Sequence, residues 1–396
     1  WTGAGWRKRP YEYTSHGAPA GGASSTAADM ARYMAMILNG GTLDGAVIYS
    51  PGTAAGFRTP QWRPHPGVAG PAHGFLAFPL PGGRTGWGHD GALLSFRSSM
   101  ILVPELGLGV FIAANGESGE RLTAEVAGRI VQRFYGPTPT LPAPGSQWLK
   151  ANASAFEGQY VANRRAFHGL ERLIGLVNGR VEVRVTDAGV LLISGRNGTS
   201  RWTPVGTTGQ FRQADGWRTL AFEMKDGRAV RYIPGHGAGT HQRVGFFGGM
   251  GWFTNLGLLT LIASLATLAG VGLRMRLRDY RETPMQRRVS LVQTTQSVLW
   301  LLAAITAGLW LGKTGDVAAI FFDWPGGWLL TASSCALVST VLSAANLVLL
   351  PLVWRGGRRV DSWTLGRKLR FTATSLIFAA FSVVLALWGA IYPWAS

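Results

Sequence analysis

Apolar positions follow two different rhythms along these 396 residues. Up to about residue 250 they come in short groups, spaced as in amphipathic helices or alternating as in strands, and no unbroken run nears 18 residues. Beyond that point four long apolar segments crowd together, at 255–273, 293–311, 327–353 and 371–393. At 1.5 Å of helical rise per residue, each can cross a hydrocarbon core about 30 Å thick. Lipid offers no partners to backbone N–H and C=O groups, so helices are the expected form. The pattern predicts a non-membrane part over 1–250 followed by four transmembrane helices within 253–393.

In the first part, SSTAADMARYMAMILNGG (24–41) carries helix signals at both ends. Ser25 or Thr26 is a candidate N-cap, with Asp29 three residues after Thr26 as in a capping box. Ala27, Met30, Met34 and Ile37 recur at helical spacing, and Asn39-Gly40-Gly41 ends the run. Strand candidates follow at 73–80, 93–104 and 107–115, the last two joined tightly enough at Glu105-Leu106-Gly107 to suggest an antiparallel hairpin. The segment 121–136 is amphipathic at helical period and offers Leu122, Val126, Ile130, Val131 and Phe134 to one sheet face. An antiparallel sheet backed by helices is therefore expected over 1–136. Four prolines within PTPTLPAPG predict a linker over 137–150. Residues 151–247 then alternate short strand candidates with the turn formers Asn178-Gly179, Asp187-Ala188-Gly189, Asp215-Gly216 and Asp226-Gly227, the rhythm of a small β-barrel of lipocalin type.

Composition changes this picture mainly through charge. The net charge of +18 is shared by both parts, with 25 Lys and Arg against 15 Asp and Glu up to residue 250 and 13 against 5 after it. In the second part the excess sits in two loops. RMRLRDYRETPMQRR (274–288) has six arginines and the stretch 355–370 has six basic residues, whereas the intervening loop has Lys313 against Asp316 and Asp323. Cytoplasmic loops of membrane proteins are enriched in Lys and Arg, so the two basic loops are expected inside and residues 1–250 outside. A nucleic-acid partner is not expected, because the basic residues of 1–250 are scattered and form no stripe with aromatics. The single cysteine, Cys335, falls in the third apolar segment, which leaves no disulfide framework and no thiolate ligand set. No metal and no cofactor are expected.

Candidate chemistry centres on GWGHDGALLSF (86–96). His89 can exchange a proton near neutrality or donate a hydrogen bond, the flanking glycines let a ligand approach the backbone, and a following strand could present an N–H to a developing oxyanion. On residue chemistry alone the stretch reads first as a glycine-rich turn. His168 stands isolated and is expected to be a surface or packing residue. GLWLGKTG (308–315) lacks the first glycine of a phosphate loop, since Ala307 occupies that position.

These stretches together resemble the serine hydrolases related to class C β-lactamases and penicillin-binding proteins. The resemblance rests on PAGGASSTAADMARYMAMILNGG (19–41), HGFLAF (73–78), GHDGALLSFRSSMILVPELGLGVFIAANG (88–116) and the helix after it. It implies that 1–136 is the C-terminal part of a β-lactamase/transpeptidase-like domain. His89-Asp90-Gly91 fits the His-x-Gly form of the family's third motif. By that resemblance His89 orients substrate and supports proton transfer, Gly91 leaves room for the acyl group, and the Ala92 backbone N–H supplies half of the oxyanion hole. The family's Ser-x-x-Lys is absent, because the residues three before the five lysines are Gly5, Gln147, Phe222, Trp310 and Leu365. Tyr-x-Asn is absent as well, and Tyr160-Val161-Ala162-Asn163 has the wrong spacing. Both motifs precede PAGG in the family's order, so the nucleophile is expected in polypeptide preceding Trp1. FEGQY (156–160) is similar to the opening of the β-rich extension found after some of these hydrolases, and four helices after it are similar to membrane-anchored members.

The expected fold class is thus multidomain: a partial α+β β-lactamase-like domain, a small β-barrel-like domain and a four-helix transmembrane region. The expected function is a membrane-anchored extracytoplasmic serine hydrolase acting on an amide or ester through an acyl-enzyme. Its substrate would be a D-amino-acid peptide, a β-lactam or a simple ester, and its other partner the lipid bilayer. A non-catalytic cell-wall or peptide-binding membrane protein is the alternative.

Overall fold

Two units make up the chain, residues 1–164 with 180–243 and residues 165–179 with 244–396. The computed structural model describes residues 5, 8–9, 11–12, 18–116, 118–136, 144–195, 198–276, 282–355 and 362–394. Half of the expected Pro-rich linker, 137–143, lies outside the described residues, as do the centres of both basic loops.

In the first unit, helix α1 (Ala27–Leu38) starts where Thr26 accepts the Asp29 N–H at 3.1 Å. The cap is Thr26 rather than Ser25. A meander of four antiparallel strands follows: β1 (Leu76–Pro79), β2 (Thr85–Ala92), β3 (Arg97–Val103) and β4 (Leu108–Ala114). Helix α1 covers one face, with Met34 and Ile37 against Phe75, Met100 and Leu102. Helix α2 (Gly119–Tyr135) covers the other, with Ala127 and Val131 against Leu80, Ile101, Val103 and Val110. The buried stripe of α2 is narrower than its apolar periodicity suggests: Leu122 and Phe134 stay exposed. Gly128 takes a place on that helix because the Trp217 indole lies where a Cβ would stand, 2.1 Å from Cζ2.

Helix α3 (Gln147–Ala151) lies within the segment expected as linker and buries Leu149 in the next core. Eight antiparallel strands close into a barrel: β5 (Gly158–Ala162), β6 (Arg180–Val185), β7 (Leu191–Gly195), β8 (Gly198–Pro204), β9 (Gln210–Gln213), β10 (Thr219–Lys225), β11 (Arg228–Pro234) and β12 (His241–Arg243). Short β12, which apolar alternation does not announce, completes closure by pairing with both β11 and β5. Phe156, Phe211 and Phe222 meet edge to face at 5.3–5.4 Å and fill the interior. Small barrels have room inside for about one layer of side chains, so this one is packed rather than hollow. Burial pushes the Tyr160 phenol up to about 12, and its hydroxyl donates to Phe156 O at 2.7 Å.

Between β5 and β6 the chain leaves the barrel for helix α4 (Gly169–Asn178), which belongs to the second unit. There Leu170 is fully buried against Trp310 and Leu329, and His168 occupies the N-cap position of α4 without capping it. The remaining elements are α5 (Met250–Met275), α6 (Pro284–Lys313), α7 (Gly326–Arg355) and α8 (Leu365–Leu387), each long and apolar enough to span a membrane. Their loops place both basic stretches on the cytoplasmic side and residues 1–250 outside. Helix α6 begins nine residues before its apolar run because Thr283 and Gln286 form a reciprocal capping box over Pro284. Helix α8 ends earlier than its run, at Leu387, and Gly389 turns the chain with φ of +80°.

Besides its apolar clusters, this second unit buries polar side chains between its helices and leaves large apolar ones outside. Gln296 donates to Ser339 O at 2.9 Å and Ser343 Oγ at 2.6 Å, and accepts from Asn346 Nδ2 at 3.0 Å. Gln293 donates to Phe371 O and Ser375 Oγ, both at 3.1 Å. Meanwhile Leu258, Ile262, Leu291, Ile305, Val341 and Val348 are exposed, as lipid-facing residues should be.

Candidate functional site

The His89 stretch lies within strand β2 rather than in a turn before one, which corrects the simpler reading of its glycines. Pairing on both sides explains how so glycine-rich a segment extends. Gly86 and Gly88 pair with Phe78 and Leu76 of β1, and residues 87–92 pair with 97–102 of β3. A Cβ on Gly88 would stand 1.7 Å from Met100 O, so only glycine lets the strands approach this closely.

Opposed residues of an antiparallel ladder share a face. His89, opposite Met100, is therefore on the α1 side, and Asp90, opposite Ser99, on the α2 side. Both are exposed. His89 Nδ1 lies 2.7 Å from Asp90 O. A carbonyl can only accept, so Nδ1 is the donor in this contact, and in the neutral ring Nε2 is then the acceptor. Gly91 faces Ser98, whose Oγ would lie 2.4 Å from an added Cβ.

Strand β1 pairs no further than Leu76 opposite Gly88, so residues 89–92 have one edge outside that ladder. The Leu93 N–H donates to Phe96 O across the turn toward β3. N–H groups alternate in direction along a strand, and the Ala92 N–H accordingly points to the edge that β1 leaves. Two side chains brace this turn: Glu12 Oε2 accepts the Leu94 N–H at 2.7 Å, and Arg97 donates to Leu93 O and to Phe96 O. A carbonyl laid along that edge would meet a held N–H and, on the same strand, an imidazole nitrogen.

His236, from the turn after β11, was not singled out by sequence pattern. Its ring lies 6.0 Å from that of Phe78. Burial pushes this imidazole below its ordinary value, while the charge of Asp90 opposes the fall and Arg218 adds to it. No local signal marks His236, because strand closure brings it to Asp90 from far along the chain. A separate recess of about 440 Å³ opens at the barrel rim among Ser146, Trp148, Thr203, Pro204, Val205 and Arg212. Arg212 is the one ionisable group among its described lining residues, so it holds no acid–base pair. Among the described residues no cluster of His, Cys, Asp and Glu could hold a metal ion.

Compared with known proteins, residues 1–133 match the family model described as Beta-lactamase. No curated protein matches the chain. Among solved structures, it is similar to SurE with bound D-Leu, at 20% identity over 50% of this chain and 44% of that one, TM-score 0.29. It is also similar to the octameric penicillin-binding protein homologue from Pyrococcus abyssi, at 15% identity over 55% of this chain and 46% of that one, TM-score 0.24. The chain spans less than half the length of these matched structures. A portion that matches the Beta-lactamase family model is thus joined in one chain to a closed barrel and a four-helix membrane region.

Proposed function

We propose that residues 1–133 form the rear part of an extracytoplasmic serine acyl-transfer domain that hydrolyses an amide or ester through an acyl-enzyme. The observation that carries this reading is the edge of β2, where His89 Nε2 and the Ala92 N–H flank Gly91. In this reading the Ala92 N–H stabilises the tetrahedral oxyanion, since a fixed donor in place before charge develops costs no reorganisation. Gly91 leaves room for the acyl group. His89 orients the substrate and relays a proton through Nε2, its ring held by the Nδ1 contact to Asp90 O. The attacking hydroxyl and its base belong to polypeptide outside this chain, because no lysine here follows a serine at the family's spacing. D-amino-acid peptides, β-lactams and simple esters are the substrate classes to test.

The test is covalent labelling of the full-length protein, including the sequence before Trp1, with a fluorescent penicillin and a fluorophosphonate. Labelling is expected with at least one probe, and His89→Ala should slow it by about 10²-fold. Ala92→Pro removes the N–H at an edge position that tolerates proline, with an expected loss of about 10²–10³-fold. Absence of labelling in the folded, full-length protein would favour a ligand-binding role instead.

A further inference from the structure

The barrel reaches the candidate site through one turn. After β11 the chain carries Gly235-His236-Gly237 along the edge of the sheet, and both glycines are required there. A Cβ on Gly235 would stand 2.9 Å from Pro79 Cγ of β1, and one on Gly237 would stand 2.5 Å from Gly70 Cα. Val68 closes the same seam by packing on Ala221 and Ile233 of the barrel. The turn is thereby clamped, and it presents the His236 ring to Phe78 of β1 at 6.0 Å.

Phe78 lies opposite Gly86, and positions 86, 88 and 90 of β2 share one face. Phe78 and Asp90 are therefore on the α2 side with His236, and His89 is on the other. The Ala238 N–H donates to His236 Nδ1 at 3.2 Å, so the neutral ring carries its hydrogen on Nε2. Two charged groups act on that ring, Asp90 from β2 and Arg218 from just before β10. Arg218 donates to Ala124 O of α2 at 3.3 Å. Asp90 is then the acceptor that a donor at Nε2 can hold.

Asp90 matters through its backbone, because its carbonyl accepts from His89 Nδ1 at 2.7 Å. It stands beyond the last β1 pair, at Gly88, so β3 alone pairs with it, and Gly91 follows it. A peptide paired on one side and followed by glycine is softly held. Anchoring the Asp90 side chain removes that freedom.

We propose that His236 is a positioning residue: the barrel's imidazole holds the Asp90 carboxylate on one face of β2, which keeps the Asp90 carbonyl in place for His89 on the other. The catalytic consequence rests on the acyl-transfer reading, whereas the effect on the His89 ring does not.

Two readouts on the full-length protein keep these apart. The first is the rate of labelling by a fluorescent penicillin. His236→Phe keeps an aromatic ring against Phe78 but has no donor, and is expected to slow acylation about tenfold with the probe's apparent affinity unchanged. His236→Gln, whose amide can donate, should recover most of that loss. The second readout is nitrogen NMR of histidine-labelled protein, in which His89 should be protonated at Nδ1 in the wild type and mixed between tautomers in His236→Phe. Asp90→Ala, at an exposed position, should do the same, and combining the two substitutions should add nothing further. Trp217→Phe loosens the barrel's contact with Gly128 of α2 and should leave the His89 signal as it is. A His89 signal unchanged by both His236→Phe and Asp90→Ala, additive effects in the double variant, or an equal change in Trp217→Phe would overturn the proposal. If the wild type takes no label, the acyl-transfer reading fails and the His89 signal alone decides this one.

Discussion

Gly88 and Gly91 stand three residues apart on β2 under different constraints. At Gly88 the obstacle to a side chain is the Met100 carbonyl, part of a strand that cannot move without breaking its ladder. At Gly91 the first obstacle is the Ser98 hydroxyl, which can rotate. Gly88→Ala is accordingly expected to destabilise the first unit by about 2–3 kcal/mol, and Gly91→Ala by less than about 1 kcal/mol, by denaturant titration. A larger loss of labelling than of stability at Gly91 would then report the room needed by an acyl group. The roles proposed for His89, Gly91 and Ala92 rest on family resemblance and not on local pattern. Local pattern pointed to a turn, because glycine has low strand propensity, and pairing with β1 and β3 overrides that preference. His236 was not legible at all, since nothing in its neighbours foretells the Asp90 carboxylate.

At the scale of elements, apolar length located all four spans but not their ends. The start of α6 is set by hydrogen bonds of Thr283 and Gln286, and the end of α8 by the glycine turn at Gly389, neither of which an apolar count detects. Helix α4 escaped notice for a similar reason. Leu170, Leu173, Ile174 and Val177 do recur at helical spacing, but over ten residues set among strand candidates that signal is short, and Leu170 is buried only by the distant Trp310 and Leu329. Inside the bundle, Gln296 joins three partners on α7. Gln296→Leu is expected to cost about 1–2 kcal/mol, mostly because Asn346 is left buried without its acceptor. Adding Asn346→Leu should restore part of that loss, which a steric unfolding assay in bicelles would detect.

For the molecule as a whole, the charge distribution commits residues 1–250 to the extracytoplasmic side. Protease added to intact cells should cleave within them and spare the loop at 274–288. Acidity should loosen the first unit. Burial lowers His65, His236 and His241 below the ordinary histidine value of 6.5. In the unfolded chain these rings protonate first, so their contribution is complete above 6.5 and declines as pH falls through the lowered folded values. Protection factors of the barrel strands, corrected for the slower intrinsic exchange in acid, should fall as the pH drops below about 6.5, and His236→Gln should blunt the fall. The excursion through α4 has a mechanical consequence. Because the polypeptide passes into the lipid-embedded unit at 164–165, returns at 179–180 and enters it for good at 243–244, the barrel is moored twice. Severing the backbone after Arg243 would leave the ectodomain still fastened by the buried Leu170, so shedding it requires extraction of that helix as well as a cut.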